Sequence, residues 1–289
     1  MSPLLRRSPG VDNPLCAALR FRPASDELSA GRWPNHNRQL PHPAFVVTID
    51  PQSVADRCFD GPLGLSTALG VIPRSSRMRA HHINAATLCP FSARLINGHG
   101  GLFERARLVC HVLLLETNAG LVLVDTGIGL QDIAEPFRLG LNFLRLAAPR
   151  LDPKETAANQ VRARGFQLSD VRHILLTHLD RDHAGGLSDF PHAQIHVHLR
   201  EHQAAVTHQL LVKPGRYISE QWKHGPNWQL YGEGGEDWFG FAGVRALGDA
   251  NPDILIIPLH GHTPGHCGVA VRQGEKWLLH AGDRYYFHG

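Results

Sequence analysis

Thr177-His178-Leu179-Asp180-Arg181-Asp182-His183-Ala184-Gly185-Gly186 decides how this chain is read. The stretch follows Arg172-His173-Ile174-Leu175-Leu176, a buried-type strand, and Gly185 and Gly186 let the backbone turn tightly beyond it. Four side chains that can bind a cation, His178, Asp180, Asp182 and His183, fall within six residues. Neutral imidazoles and carboxylates are nitrogen and oxygen donors for divalent metals, and ions about 3.5–4 Å apart can share one bridging hydroxide. A polar helix start would also place aspartates here, favoured by the helix dipole, with the histidines present by chance.

Two later segments bring the same donor types from other strand ends. His260-Gly261-His262-Thr263-Pro264-Gly265-His266 follows the apolar run from Asp253 to Leu259, and Ala281-Gly282-Asp283 follows Trp277-Leu278-Leu279-His280. Three strand ends that finish on metal-binding residues point to one shared site.

With these residues in view, His178 to Gly186 resembles the H-x-H-x-D-H-x-G-G signature of the metallo-β-lactamase superfamily. Gly261 to His266 and Gly282-Asp283 resemble the family's later ligand motifs, and Asp125-Thr126-Gly127 resembles its early Asp-Thr-Gly turn. The similarity spans Met78 to Gly289. It implies an α/β fold, the four-layer αββα sandwich of that family, short of its last strand and helix because the chain stops six residues after Asp283. It further implies that His178, Asp180 and His262 hold a first divalent metal ion, that Asp182 and His183 hold a second, and that Asp283 bridges them. Asp125 would then orient a ligand histidine from behind.

Zinc is the first expectation for both ions. Asp180 stands where the family usually has a histidine, and this hard oxygen donor makes manganese or iron acceptable as well. The Ala-Gly-Gly after the motif and the tyrosines after Asp283 look most like the acyl-homoserine lactonase-like branch. There a tyrosine near the bridging aspartate contacts the substrate carbonyl, which makes Tyr286 or Tyr285 the candidate. His288 is the only histidine downstream of Asp283, at a spacing too short for the family's final ligand.

The chemistry implied is hydrolysis of an ester, lactone or similar acyl bond in a small-molecule substrate by a metal-bound hydroxide, with Asp182 managing the transferred proton. Two other readings stay open. A diiron-type redox protein is suggested by the acidic residue at position 180, and a truncated, non-catalytic metal-binding remnant by the short C-terminus.

Composition narrows the partners. Across 289 residues the formal charge is only +3 and no basic run occurs, so no nucleic-acid partner is expected. No apolar stretch is long enough to span a bilayer, so no membrane association is expected. The five cysteines are odd in number and contain no C-x-x-C pair, which fits a reducing cytoplasm. Oligomeric state has no signature.

Along the chain, residues 1–77 are rich in Pro, Arg and Ser and read as a poorly ordered N-terminal extension, with only Ala44 to Ile49 strand-like. Residues 78–289 read as the metallo-β-lactamase-like domain. Leu108 to Glu116 and Leu121 to Asp125 predict a β-hairpin about Thr117-Asn118-Ala119-Gly120. Asp152-Pro153-Lys154-Glu155 predicts a capped helix ending near Gly165. Gln194 to His198 predicts a strand and Leu199 to Leu210 a helix. Lys213 to Gly248, with Trp222, Trp228 and Trp238 among many glycines, predicts a long aromatic-bearing insertion. Gly268 to Arg272 predicts another strand. His196 and His198 share one side of their strand and are expected to be solvated or hydrogen-bonded, while His81, His82, His99 and His111 could approach the site from the first strands.

Overall fold

The computed structural model describes residues 46–49, 78–211, 215–248 and 251–284. Leu108–Thr117 (β3) and Gly120–Val124 (β4) form the expected hairpin. Arg79–Leu88 (β2) pairs antiparallel with β3 on its other side. Val171–Leu175 (β5), Gln194–His198 (β6) and Asn227–Tyr231 (β7) then add to β4 in parallel, completing a six-stranded sheet in the order β2-β3-β4-β5-β6-β7.

The second sheet is antiparallel throughout. It contains Val46–Ile49 (β1), Glu236–Trp238 (β8), Phe241–Leu247 (β9), Asn251–Pro258 (β10), Cys267–Gln273 (β11) and Lys276–His280 (β12), in the order β1-β12-β11-β10-β9-β8. Thus one strand from the first 77 residues joins the sheet edge, while the rest of that segment lies outside the described residues.

Side chains alternate across a strand, so the continuous apolar run of β3 serves two cores at once. Leu113 and Leu115, with Val122, Val124 and Leu175, face Ile254, Ile256, Val269 and Val271 of the other sheet. Val112 and Leu114, with Leu123 and Ile174, face the helices Ala157–Ala163 and Leu199–Leu211 through Ala158, Val161 and Ala205. The result is the mixed α/β sandwich that the motifs imply. Among the described residues, no helix is long and apolar enough to cross a membrane, and Cys89, Cys110 and Cys267 are free thiols.

Two local expectations need correction. Asp152 caps only a 3-10 turn, Pro153–Glu155, by accepting from the Lys154 N–H. The helix restarts at Ala157 under a different cap, Thr156, because Glu155 turns away to accept the Thr87 hydroxyl at 2.8 Å. The stretch from Lys213 to Gly248 is no loop insertion either: it supplies β7, β8 and β9 to both sheets. Trp222 and Trp228 pack on the helix-side core, and Trp238 lies edge-on to Trp277, so the tryptophans seal core surfaces. The turn glycines between these short strands mask their alternation.

Candidate metal centre

Strand direction assembles the site. β4 and β5 run parallel, so Asp125 and the 177–183 segment emerge at one edge of the first sheet. In the second sheet β10 and β12 both pair antiparallel with β11, so they share a direction, and the loop carrying His262 and the turn carrying Asp283 emerge together. The sandwich brings the two edges into contact.

One donor atom each from His178, His262 and Asp283 lies within 4.8 Å of the others. Asp180 joins them, its Oδ2 3.0 Å from His262 Nε2 and 3.3 Å from His178 Nε2. Asp283 reaches both ways, with Oδ2 3.6 Å from His262 Nε2 and Oδ1 3.2 Å from His183 Nε2. His183 meets the group through Asp283 and through its ring, whose centroid lies 4.0 Å from that of His178. Asp182 stands further back, with Cys110 Sγ 3.8 Å from its Oδ2. Tyr285, Tyr286 and His288 lie outside the described residues.

Behind the cluster, the fully buried Asp125 fixes which nitrogens face inward. Its Oδ1 accepts the Thr177 N–H at 2.8 Å, and its Oδ2 accepts the Thr177 hydroxyl at 2.8 Å and His183 Nδ1–H at 2.9 Å. Since the Thr177 proton is spent on Asp125, its oxygen must accept from His178 Nδ1, 2.9 Å away. Both imidazoles thus carry their proton on Nδ1 and turn an Nε2 lone pair into the cluster. His178 Nε2 is buried there with no hydrogen-bond partner, despite the nearby carboxylates. A buried lone pair facing carboxylate oxygens is repulsive unless a cation or proton lies between them, so the donor set fits divalent metal ions.

The same carboxylates draw positive charge to this place. Burial disfavours a charged His183, but Asp283 and Asp125 on either side outweigh it and hold the pKa well above its ordinary value. Burial also opposes ionisation of Asp180, yet His178, His262 and Arg216 keep its carboxyl far below the usual range. Asp182 moves the other way: burial first, then the charges of Asp283 and Asp180, raise it.

Three supporting groups had no sequence signature. Glu201, fully buried in the helix after β6, accepts the Leu179 N–H and the Gly265 N–H, both at 3.0 Å, and so ties the loops carrying His178 and His262 together. Arg216 lies over the cluster, its Nε 2.6 Å from Asp180 Oδ1 and its Nη1 2.8 Å from the His262 carbonyl. Gln221 bonds Asp132 and the Arg181 carbonyl beneath the short helix Arg181–Ala184. His266, by contrast, was visible in the motif. It accepts the Asp283 N–H at Nε2 and donates from Nδ1 to the Leu259 carbonyl, so it holds the backbone of Asp283.

Main chain packs on main chain at one wall. A Cβ on Gly129 would lie 2.2 Å from the Gly185 carbonyl oxygen, and one on Gly185 would lie 2.7 Å from that of Gly127. Several other histidines are occupied elsewhere: His81 bonds Glu116, His82 bonds His111, and His196 bonds both His173 and Tyr231.

Comparison with known proteins gives the family. Residues 105–283 match the family model described as the metallo-beta-lactamase superfamily. A probable metallo-hydrolase of Mycobacterium tuberculosis is 42% identical over 226 residues, covering 78% of this chain and 68% of that one. The N-acyl homoserine lactonase AttM of Agrobacterium fabrum is 27% identical, over 67% of this chain and 70% of its own. Among solved structures, an N-acyl homoserine lactone hydrolase with N-hexanoyl-L-homoserine bound at its catalytic metal centre aligns with a TM-score of 0.52. Its identity is 22%, over 68% of this chain and 71% of that one. Strand ends that bring His178, His262 and Asp283 together, within a stretch that the family model matches, place the conclusion beyond resemblance: this chain belongs to the metallo-beta-lactamase superfamily.

Proposed function

We propose that the chain is a metallo-hydrolase that opens an ester, lactone or related acyl bond in a small molecule. The observation that carries the reading is the pair of Nε2 lone pairs, on His178 and His183, set by Asp125 to face the Asp180 and Asp283 carboxylates. The similarity to a metallo-hydrolase and to acyl-homoserine lactonases supports it.

In this reading His178, Asp180 and His262 would hold one divalent ion and Asp182 and His183 a second, with Asp283 placed between them. Zinc suits the imidazoles, and the carboxylates also admit manganese or iron. When bound, the ions would supply Lewis acidity toward a carbonyl and lower the pKa of a water. The chain's own residues do the rest. Asp125 and Thr177 hold the two imidazole tautomers. The Arg216 guanidinium offsets the negative charge that Asp180 brings in place of a histidine. Asp182, whose affinity for a proton burial raises, takes and returns the proton moved during bond cleavage at its carboxylate. Tyr286 or Tyr285 orients the substrate carbonyl.

The test is direct. The purified chain, loaded with zinc, manganese or iron and shown by elemental analysis to hold at least two equivalents, is offered acyl-homoserine lactones, aryl esters and thioesters. Turnover of at least one class is expected, and its loss in Asp182→Asn. No turnover of any class by the doubly loaded protein rules out acyl hydrolysis. The carboxylate at position 180 favours one second reading, a diiron redox protein, for which tightly held iron with a visible absorption band is the deciding observation.

A further inference from the structure

A second group of donors lies apart from the cluster just described. His198 ends β6, His260 opens the loop after β10, and Glu233 lies on the turn between β7 and β8. The two imidazole rings meet edge to face with centroids 4.9 Å apart. One donor atom from each of the three residues lies within 4.8 Å of the others.

Two of these atoms are unexplained by the packing. His198 is only 2% exposed, and its Nε2 is buried with no hydrogen-bond partner; His260 Nδ1 is likewise buried and without one. Leaving such a group buried and unsatisfied is unfavourable. Glu233 Oε1 lies 3.9 Å from His198 Nε2, too far for a hydrogen bond. Donors bound tetrahedrally at about 2.0–2.1 Å stand about 3.3 Å apart, so a modest contraction of this group closes it around an ion.

We propose that His198 Nε2, His260 Nδ1 and the Glu233 carboxylate form an additional divalent cation site, distinct from the centre at His178 and Asp283. Two imidazole nitrogens and one carboxylate select a zinc-class ion, with water completing the tetrahedron, over magnesium or calcium, which prefer all-oxygen shells. Two existing contacts change when it binds. Glu233 Oε1 also pairs with Arg200 Nε at 2.6 Å, but both side chains are more than half exposed, so this pair exchanges readily with solvent. His198 Nδ1 accepts the Arg200 backbone N–H at 3.2 Å, so without a cation the ring proton sits on Nε2. Binding moves that proton to Nδ1 and gives up this long bond.

The site has a structural consequence. It ties the end of β6 and the β7–β8 turn to the loop that carries His262 two residues further on, and so acts as a staple beside the main centre.

Equilibrium dialysis of the full chain against zinc, followed by elemental analysis, tests the proposal. Glu233→Gln, at a side chain 61% exposed and safe for folding, and His260→Gln each bind one equivalent fewer than the wild type. Zinc also raises the melting temperature of the wild type more than that of either variant. Asp283→Asn lowers the count at the main centre and leaves this equivalent in place, so failure of either site is read apart from the other. A zinc count unchanged in both Glu233→Gln and His260→Gln overturns the proposal.

Discussion

Replacing Asp125 by Asn changes one oxygen to an NH2 group and reverses the polarity behind both inward-facing histidines. In the wild type Oδ2 accepts from the Thr177 hydroxyl and from His183 Nδ1–H. With an NH2 at that position, two donors face a third. His183 resolves the conflict by moving its proton to Nε2, where it meets Asp283 in place of a cation, and the Thr177 hydroxyl must turn away and disturb His178. Loss of a supporting hydrogen bond to a metal-ligating histidine lowers metal affinity about 10–100-fold, equivalent to about 1.4–2.8 kcal/mol. A hydrogen bond to a charged group is worth about 1.5–3 kcal/mol, which gives the same scale from an independent direction. Chelator competition with zinc measures the affinity, and long-range imidazole 15N spectra report the His183 tautomer. Affinity within twofold of wild type, or an unchanged Nδ1–H tautomer in Asp125→Asn, refutes the argument that this carboxylate sets the donors.

Other expectations follow from the same contacts. Glu201→Gln sets an NH2 group against either the Leu179 or the Gly265 N–H and is expected to destabilise the fold by about 1–3 kcal/mol, read as a lower urea midpoint with unchanged slope. Gly282→Ala places a Cβ 2.5 Å from His266 Nε2 at a φ of 55°, so it is expected to cost more than about 1 kcal/mol in urea unfolding and to weaken zinc binding by displacing Asp283. In metal-free protein the raised pKa of His183 makes its protonated form stabilising. That contribution is complete below the ordinary value of about 6.5 and is lost as pH rises through the raised folded value. Melting curves in chelator are therefore expected to show a wild-type advantage over Asp125→Asn that shrinks with rising pH, and an advantage that grows with pH contradicts the assignment.

Much of this architecture was legible in the sequence because it rests on local patterns. The hairpin about Thr117 to Gly120 and the β6 to Leu199–Leu211 connection declare themselves through apolar runs and turn residues. The ligand types at 178–183, 262 and 283 stand directly after strands, so their convergence needed only a sheet that aligns those strand ends. The rest depends on partners distant in sequence. Glu201 is an ordinary helical glutamate until Leu179 and Gly265 are seen to donate to it, and Arg216 becomes part of the centre only when its loop lies across Asp180. Asp152-Pro153 carried a valid cap signal, but the tertiary bond from Thr87 to Glu155 shortened the element it began. The strands of 227–247 are short and glycine-punctuated, and they exist because each pairs with a strand already in place.

The glycine contact between the turn after β4 and the helix after β5 divides the centre into two mechanically unlike halves. Where Gly129 abuts Gly185 no side chain intervenes, so nothing can rotate aside and the His183 half behaves as bedrock. The opposite half, Arg216 over Asp180 and His262, is held by side-chain bonds that rotamer changes can break and remake within nanoseconds. On the proposed function, exchange of ions and of small molecules is expected on the arginine flank, where changes are expected to alter rates of exchange, while changes at the glycine wall are expected to alter whether the site forms at all.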